Sequence, residues 1–213
     1  VESRGFRVPP TDQVGRAEEY SAGALFLQSA RRAQVGFEMG AEERPWVVRI
    51  CHLVEGMPLG IELAASWASV HSCEGIAREI VSSLDTLTTR LRNVPERHRS
   101  LWATFEHSFQ LLTAAEKSAF SGLSVFRGGF SREAARAVTG AASPLLTTLQ
   151  DKSLIRRVSP DRYNMHEMLR QYASGKLQDD PQAHEQARSR HARYFAHPCR
   201  RPIPRRRVGV LRR

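Results

Sequence analysis

The sequence predicts a mainly α-helical chain that carries one short β-hairpin, and three observations lead to that class. Apolar residues recur at spacings of three and four through successive windows from residue 18 to about 90. A proline-led corner, VEGMPLGIELAA from Val54 to Ala65, turns one helix into the next within four residues. The periodicity changes once, between Leu154 and Met165, to that of extended chain.

Taken in order, the opening VESRGFRVPP is polar and punctuated by proline, so residues 1–17 read as a linker from something upstream rather than as a signal peptide. The first helix spans about Glu18 to Ala33, with Leu25, Phe26, Leu27 and Ala30 on its apolar side. A second runs from about Glu42 to Val54, where Trp46, Val47, Ile50, Cys51 and Val54 make a buried stripe. Gly56 then supplies a left-handed residue that closes this helix, and Pro58 suits the first turn of the third, where its missing N–H costs nothing. Leu59, Ile61, Leu63, Ala64 and Trp67 follow; a fourth helix from Cys73 to Leu84 faces inward through Ile76, Ile80 and Leu84. Residues 18–92 therefore form a four-helix layer.

The polar joint TTRLRNVPERHRS sets a boundary near Pro95, with Arg97, His98 and Arg99 as a basic knot in a solvated linker. LWATFEHSFQLL is amphipathic from Ser100, and Thr113 with Glu116 forms a capping box for TAAEKSAFSGL. Past the turn at Gly128–Gly129, Ser131 caps a short helix over REAARAV, and another helix covers about Pro144 to Asp151. Leu154, Ile155 and Val158, a turn at Ser159–Pro160–Asp161, then Tyr163 and Met165 read as a two-stranded hairpin. Helices followed by such a hairpin describe a winged helix over 93–178. His166 opens the next helix, and residues 179–196 give a helix that starts a helical array.

Charge misleads at first sight. The chain carries a formal +10, but seven arginines lie between His197 and Arg213 with no acid among them, which leaves +3 for the remainder. Residues 197–213 read as a basic, disordered tail, and the net charge alone does not argue for a nucleic-acid face. Cys51, Cys73 and Cys199 are odd in number and lack metal or redox spacing, so a reducing cytoplasm is expected. Cys51 and His52 are adjacent and point about 100° apart on a helix, which does not make a metal pair. Neither GxSxG nor HExxH occurs, and no apolar run reaches the length of a bilayer span, so a self-sufficient enzyme and a membrane protein are not expected.

GMPLGIELAA, VPERHRSLWATFEHSFQLL, LSVFRGGFSREAA, LLTTLQDKSLIRR and RYNMHEMLRQYA stand in this order along the chain. The ordered set resembles the C-terminal part of the nucleotide-binding region of bacterial signal-transducing (STAND, NB-ARC-like, AAA+-related) ATPases, over roughly residues 5 to 196. That resemblance implies a helical lid and a winged helix that hold ADP or ATP against a P-loop domain, with helical repeats or an effector domain downstream and self-association on activation. By position, Pro58 matches the lid proline beside the adenine, and His166 matches the winged-helix histidine that touches the β-phosphate. An imidazole at a helix start can donate to phosphate, although a plain capping histidine would look the same. The family often has aspartate after this histidine; Glu167 stands there and keeps the acid of the expected hinge. No GxxxxGK[ST] is present, so the phosphate cradle and magnesium ligands are not in this sequence, and no turnover is expected of it alone.

The reading is thus a regulatory fragment of a nucleotide-switched signalling or transcription-control ATPase. The alternative is a winged-helix DNA-binding module, for which PLLTTLQD offers only Gln150 as a base reader.

Overall fold

A computed structural model describes residues 6–10, 13–87 and 96–196, with backbone alone for 84–87 and 96–98. The boundary expected near Pro95, Leu84's inward side chain and the 197–213 tail lie outside what is described.

The amphipathic windows become helices α1 (Ser21–Ala33), α2 (Glu43–Leu53), α3 (Pro58–Ser66) and α4 (Cys73–Leu87). A 3-10 helix, Val14–Glu19, spans the end of the stretch read as linker and the expected start of the first helix, and another, Trp67–Ser69, extends α3. Phe26, Val47, Ile50, Ile61, Ile76 and Ile80 are fully or almost fully buried together, so the predicted stripes meet in one core.

The second core gathers α5 (Glu96–Gln110), α6 (Ala114–Leu123), α7 (Arg132–Thr139), α8 (Ser143–Asp151) and α9 (Glu167–Gln178). Thr113 and Glu116 form the capping box: the Glu116 N–H donates to Thr113 Oγ1 at 3.3 Å and the Thr113 N–H donates to Glu116 Oε2 at 2.7 Å. Lys152 Nζ adds a bond to the same carboxylate at 2.9 Å. Ser131 caps α7, accepting from the Ala134 N–H at 3.1 Å. The fold is a winged helix: β2 (Arg156–Ser159) and β3 (Arg162–Asn164) form the wing, and α10 (Pro181–Ala196) packs back on the same core through Tyr194 and the His191–Phe126 ring contact.

Three expectations need correction. The sheet has three strands in the order β1–β3–β2, because β1 (Phe130–Ser131) pairs antiparallel with Tyr163 and Arg162. Leu154 and Ile155 precede the wing and fill the core, while Val158 is half exposed on a bulged strand. α5 begins at Glu96, four residues before the predicted start, so Arg97, His98 and Arg99 lie on its first turns rather than in a linker.

Gly56 has φ 64°, and a Cβ there would come within 2.5 Å of the Phe6 carbonyl oxygen. Gly36 has φ 80° with open space around it. Gly56→Ala should therefore lose clearly more than the roughly 1 kcal/mol expected of Gly36→Ala, measured as melting shifts on the same chain.

Candidate functional site

The corner that opens α3 is tightly bonded. The Gly56 N–H donates to the Cys51 carbonyl at 2.8 Å, the Glu55 N–H to His52 at 2.9 Å, and the Met57 N–H to Val54 at 2.9 Å, which closes α2. Glu55 shares the left-handed conformation at φ 54°, a feature that the sequence did not signal. Met57 is extended and Pro58 takes the first helical position. The 6–10 segment lies across this corner: the Phe6 N–H donates to the Gly56 carbonyl at 2.7 Å, and the Pro9 carbonyl sits 2.9 Å from His52 Nε2. What read as a loose linker is held at both ends, because the Arg7 N–H also donates to Ser21 Oγ at 3.0 Å.

Helix α3 belongs to both cores. Ile61, Ala64 and Ala65 are buried in the first, whereas Leu63 is buried in the second, with Met57 and Leu59 packed against that second core. Pro58 and Glu62, four residues apart, lie on one face of α3.

His166 is the N-cap of α9. Its Nδ1 accepts from the Met168 N–H at 3.3 Å, which leaves Nε2 as the N–H of the neutral ring, and Nε2 has no hydrogen-bond partner among the described residues. Burial and then Arg156 push the imidazole pKa down, against Glu167 and Glu62. Arg156 on the wing strand β2 and Glu62 on α3 are thus the charged groups outside α9 that act on the His166 ring, while no contact between Pro58 and His166 is seen among the described residues.

Glu167 does not reach across that junction. It holds Arg170 one turn along, with Oε1 2.6 Å from Nη2 and Oε2 2.8 Å from Nε, and accepts from Gln171 at 3.1 Å. Those partners hold its carboxyl down at about 2. The carboxylate of Glu167 is therefore engaged within its own helix.

The wing presents a second feature. Arg156, Arg157 and Arg162 are exposed on β2 and β3, and Arg132 stands beside them at the start of α7, 3.6 Å from Asp161. Helix α8 exposes Ser143, Pro144, Thr147 and Asp151, with Gln150 half-buried. The Arg157 guanidinium donates to the Pro160 carbonyl at 2.6 Å and that of Arg162 to the Gly128 carbonyl at 3.0 Å, and α8 carries few side chains suited to reading bases.

Comparison with known proteins adds a context. Over 198 residues, 87% of this chain, it is 35% identical to a "Putative HTH-type transcriptional regulator" of Mycobacterium tuberculosis, covering 22% of that protein. The chain is similar to part of proteins named as regulators. It is also 30% identical over 144 residues to "Regulatory protein AfsR" of Streptomyces coelicolor, covering 65% of the chain and 14% of that protein. An "Uncharacterized protein" of Mycobacterium tuberculosis is 32% identical over 133 residues, which covers 62% of the chain and 33% of that protein. The chain thus spans about a fifth of the length of the first of these relatives. No family profile matches the chain, and no solved structure matches it.

Capping and ligand contact at His166 separate by substitution. His166→Ala should cost about 1 kcal/mol of stability through the lost cap, while His166→Asn keeps most of it. Nδ1 accepts only when unprotonated, and the folded pKa lies below the usual value. The cap's contribution is therefore full above about pH 6.5 and declines as pH falls through the folded value. Thermal melts of both variants across that range check the sign; a cap strengthened by acid would contradict it.

Proposed function

We propose that this chain is the helical-layer and winged-helix part of a larger regulator of transcription, in the cytoplasm, without turnover of its own. The observation that carries the proposal is a winged helix whose wing displays Arg156, Arg157 and Arg162, in a chain similar to part of proteins named as HTH-type transcriptional regulators. In this reading the wing meets the DNA backbone. Because α8 has few base readers, sequence selection falls to another part of the full-length protein.

A specific observation favours a second reading, in which the junction senses ADP or ATP. His166 presents an N–H donor at the start of α9 beside Arg156, which fits a phosphate oxygen, and the half-buried Pro58 at the start of α3 fits the edge of an adenine. Glu62 opposes an anion at the same place, so the fit requires α3 to shift or a cation to accompany the nucleotide. The phosphate cradle and magnesium ligands would come from a P-loop domain outside these residues. Downstream repeats and self-association would then carry the output.

Two titrations separate the readings. Fluorescence anisotropy with duplex DNA should show affinity that falls steeply with salt; replacing Arg156, Arg157 and Arg162 together by Ala should reduce the slope of log K against log salt by about 3, roughly one per phosphate contact. Binding indifferent to salt and to these arginines would overturn DNA contact by the wing. Calorimetry with ADP on a chain extended to include the P-loop domain should show affinity at least about tenfold weaker for His166→Asn, which keeps the cap. Unchanged affinity would overturn the nucleotide role of His166.

A further inference from the structure

On the far side of α5 from Tyr172, the two cores meet through a cluster of rings. His107 of α5 is 12% exposed, and its ring lies 4.2 Å from that of Trp67 and 5.6 Å from that of His71, centroid to centroid. Trp67 belongs to the first core, and its Nε1–H donates to Ser108 Oγ on α5 at 3.1 Å. His71 stands between the Trp67–Ser69 turn and α4, tied by its own N–H to the Trp67 carbonyl at 2.8 Å. The Nε2 atoms of His71 and His107 are both buried and without hydrogen-bond partners among the described residues. Two orphaned imidazole nitrogens at one joint are an unusual expense for a structural contact.

We propose that His71 and His107 form a proton-sensitive clasp, closed while both rings are neutral and opened when both are charged. With both rings neutral, His107 packs at a tilt against Trp67 and His71 packs against His107, which seals the Trp67–Ser69 turn and α4 against α5. A proton on each would place two like charges a ring's width apart, with both Nε2 atoms buried.

The groups facing the pair come from each packed element. From α4, Glu79 sits 3.5 Å from His107 Nδ1 and favours the charged ring, as does the Trp67 face. Burial and His71 oppose it, burial most strongly, and the pKa of His107 is lowered on balance. Glu74 on α4 is occupied by Arg78 at 2.6 Å. On α9, Lys176 and Tyr172 hold Glu106, the neighbour of His107, at 2.8 and 2.7 Å, so neither serves the cluster. Glu62 of α3 acts on His166 instead. Glu79 is therefore the one carboxylate acting on His107 among the described residues, against two rings. Above the unfolded histidine value near pH 6.5 the contribution of neutral His107 is full; as pH falls through its lowered folded value that contribution is lost.

Paired spin labels read the joint directly. Val35 and Val158 are exposed at 98% and 50%, one beyond α1 and the other on the wing. Label Val35→Cys/Val158→Cys on the full chain with Cys199→Ser; Cys51 and Cys73 are buried, their thiols pushed up to about 12 and about 11, and stay unlabelled. Between about pH 7.5 and about pH 5.5 the distance distribution should broaden and move reversibly to longer values. His71→Gln and His107→Gln should each remove most of that movement. An unchanged distribution, or the same movement in both variants, would overturn the clasp. Should a histidine variant lose its cooperative melt, Glu79→Gln decides: removing the favourable carboxylate must lower the pH at which the joint opens, because His107 then binds its proton less readily. An unmoved midpoint would overturn the proposal.

Discussion

The burial of α3 in two cores at once is the constraint on which the rest of the molecule depends. PLGIELAAS is apolar on nearly every side, so a helix made of it cannot rest on one surface and leave the other in water. Ile61, Ala64 and Ala65 satisfy one side, and Leu63 the other. Gly60 makes the approach short enough: a Cβ there would come within 2.8 Å of Val54 and 3.3 Å of Leu101. Fully burying a leucine is worth about 1.5–3 kcal/mol, a noticeable share of the roughly 5–15 kcal/mol that holds a domain folded. A ligand present at a hundred times its Kd shifts an equilibrium by about 2.7 kcal/mol. The two quantities are comparable, so a contact of this size can hold a junction and still yield to a regulator.

Polar chemistry is arranged around this apolar contact. On one side of it the charges of Glu62 and the wing's Arg156 act on His166; on another, Trp67 bonds to Ser108 while the rings of His71 and His107 lie together. Helix α5 is the common wall. Its Leu101 and Phe105 enter the second core, its His107 faces the first, and Glu106 fastens it to α9 through Tyr172 and Lys176. A change of charge at either site therefore acts on helices that both cores share, which is how a local event could become a change of arrangement.

Local signals in the sequence were sufficient where one residue type can do the job. The capping box at Thr113 and Glu116, the cap at Ser131 and the left-handed Gly56 follow from side-chain reach and backbone freedom. The mainly α class and the wing follow from periodicity. Strand β1 was hidden because two residues carry no period, and the early start of α5 because its first turn is polar. Among the candidate residues, His166 could be placed at a helix start, but its free Nε2 depends on a capping bond that only the folded chain displays. Glu167 drew attention as a neighbour of His166, yet its carboxylate is taken by Arg170 within the same helix. Glu62 and His107 lie within the quoted segments but no spacing singled them out; the interactions they make join segments distant in sequence.

Native-state hydrogen exchange on Leu63→Ala tests the sharing of α3 most directly. If one helix secures both cores, the substitution should lower the opening free energy of slowly exchanging amides in α1 and in α6 together, by about 2–5 kcal/mol. Loss of protection confined to α6, with α1 amides unaffected, would contradict it and make α3 a helix that merely touches its neighbour.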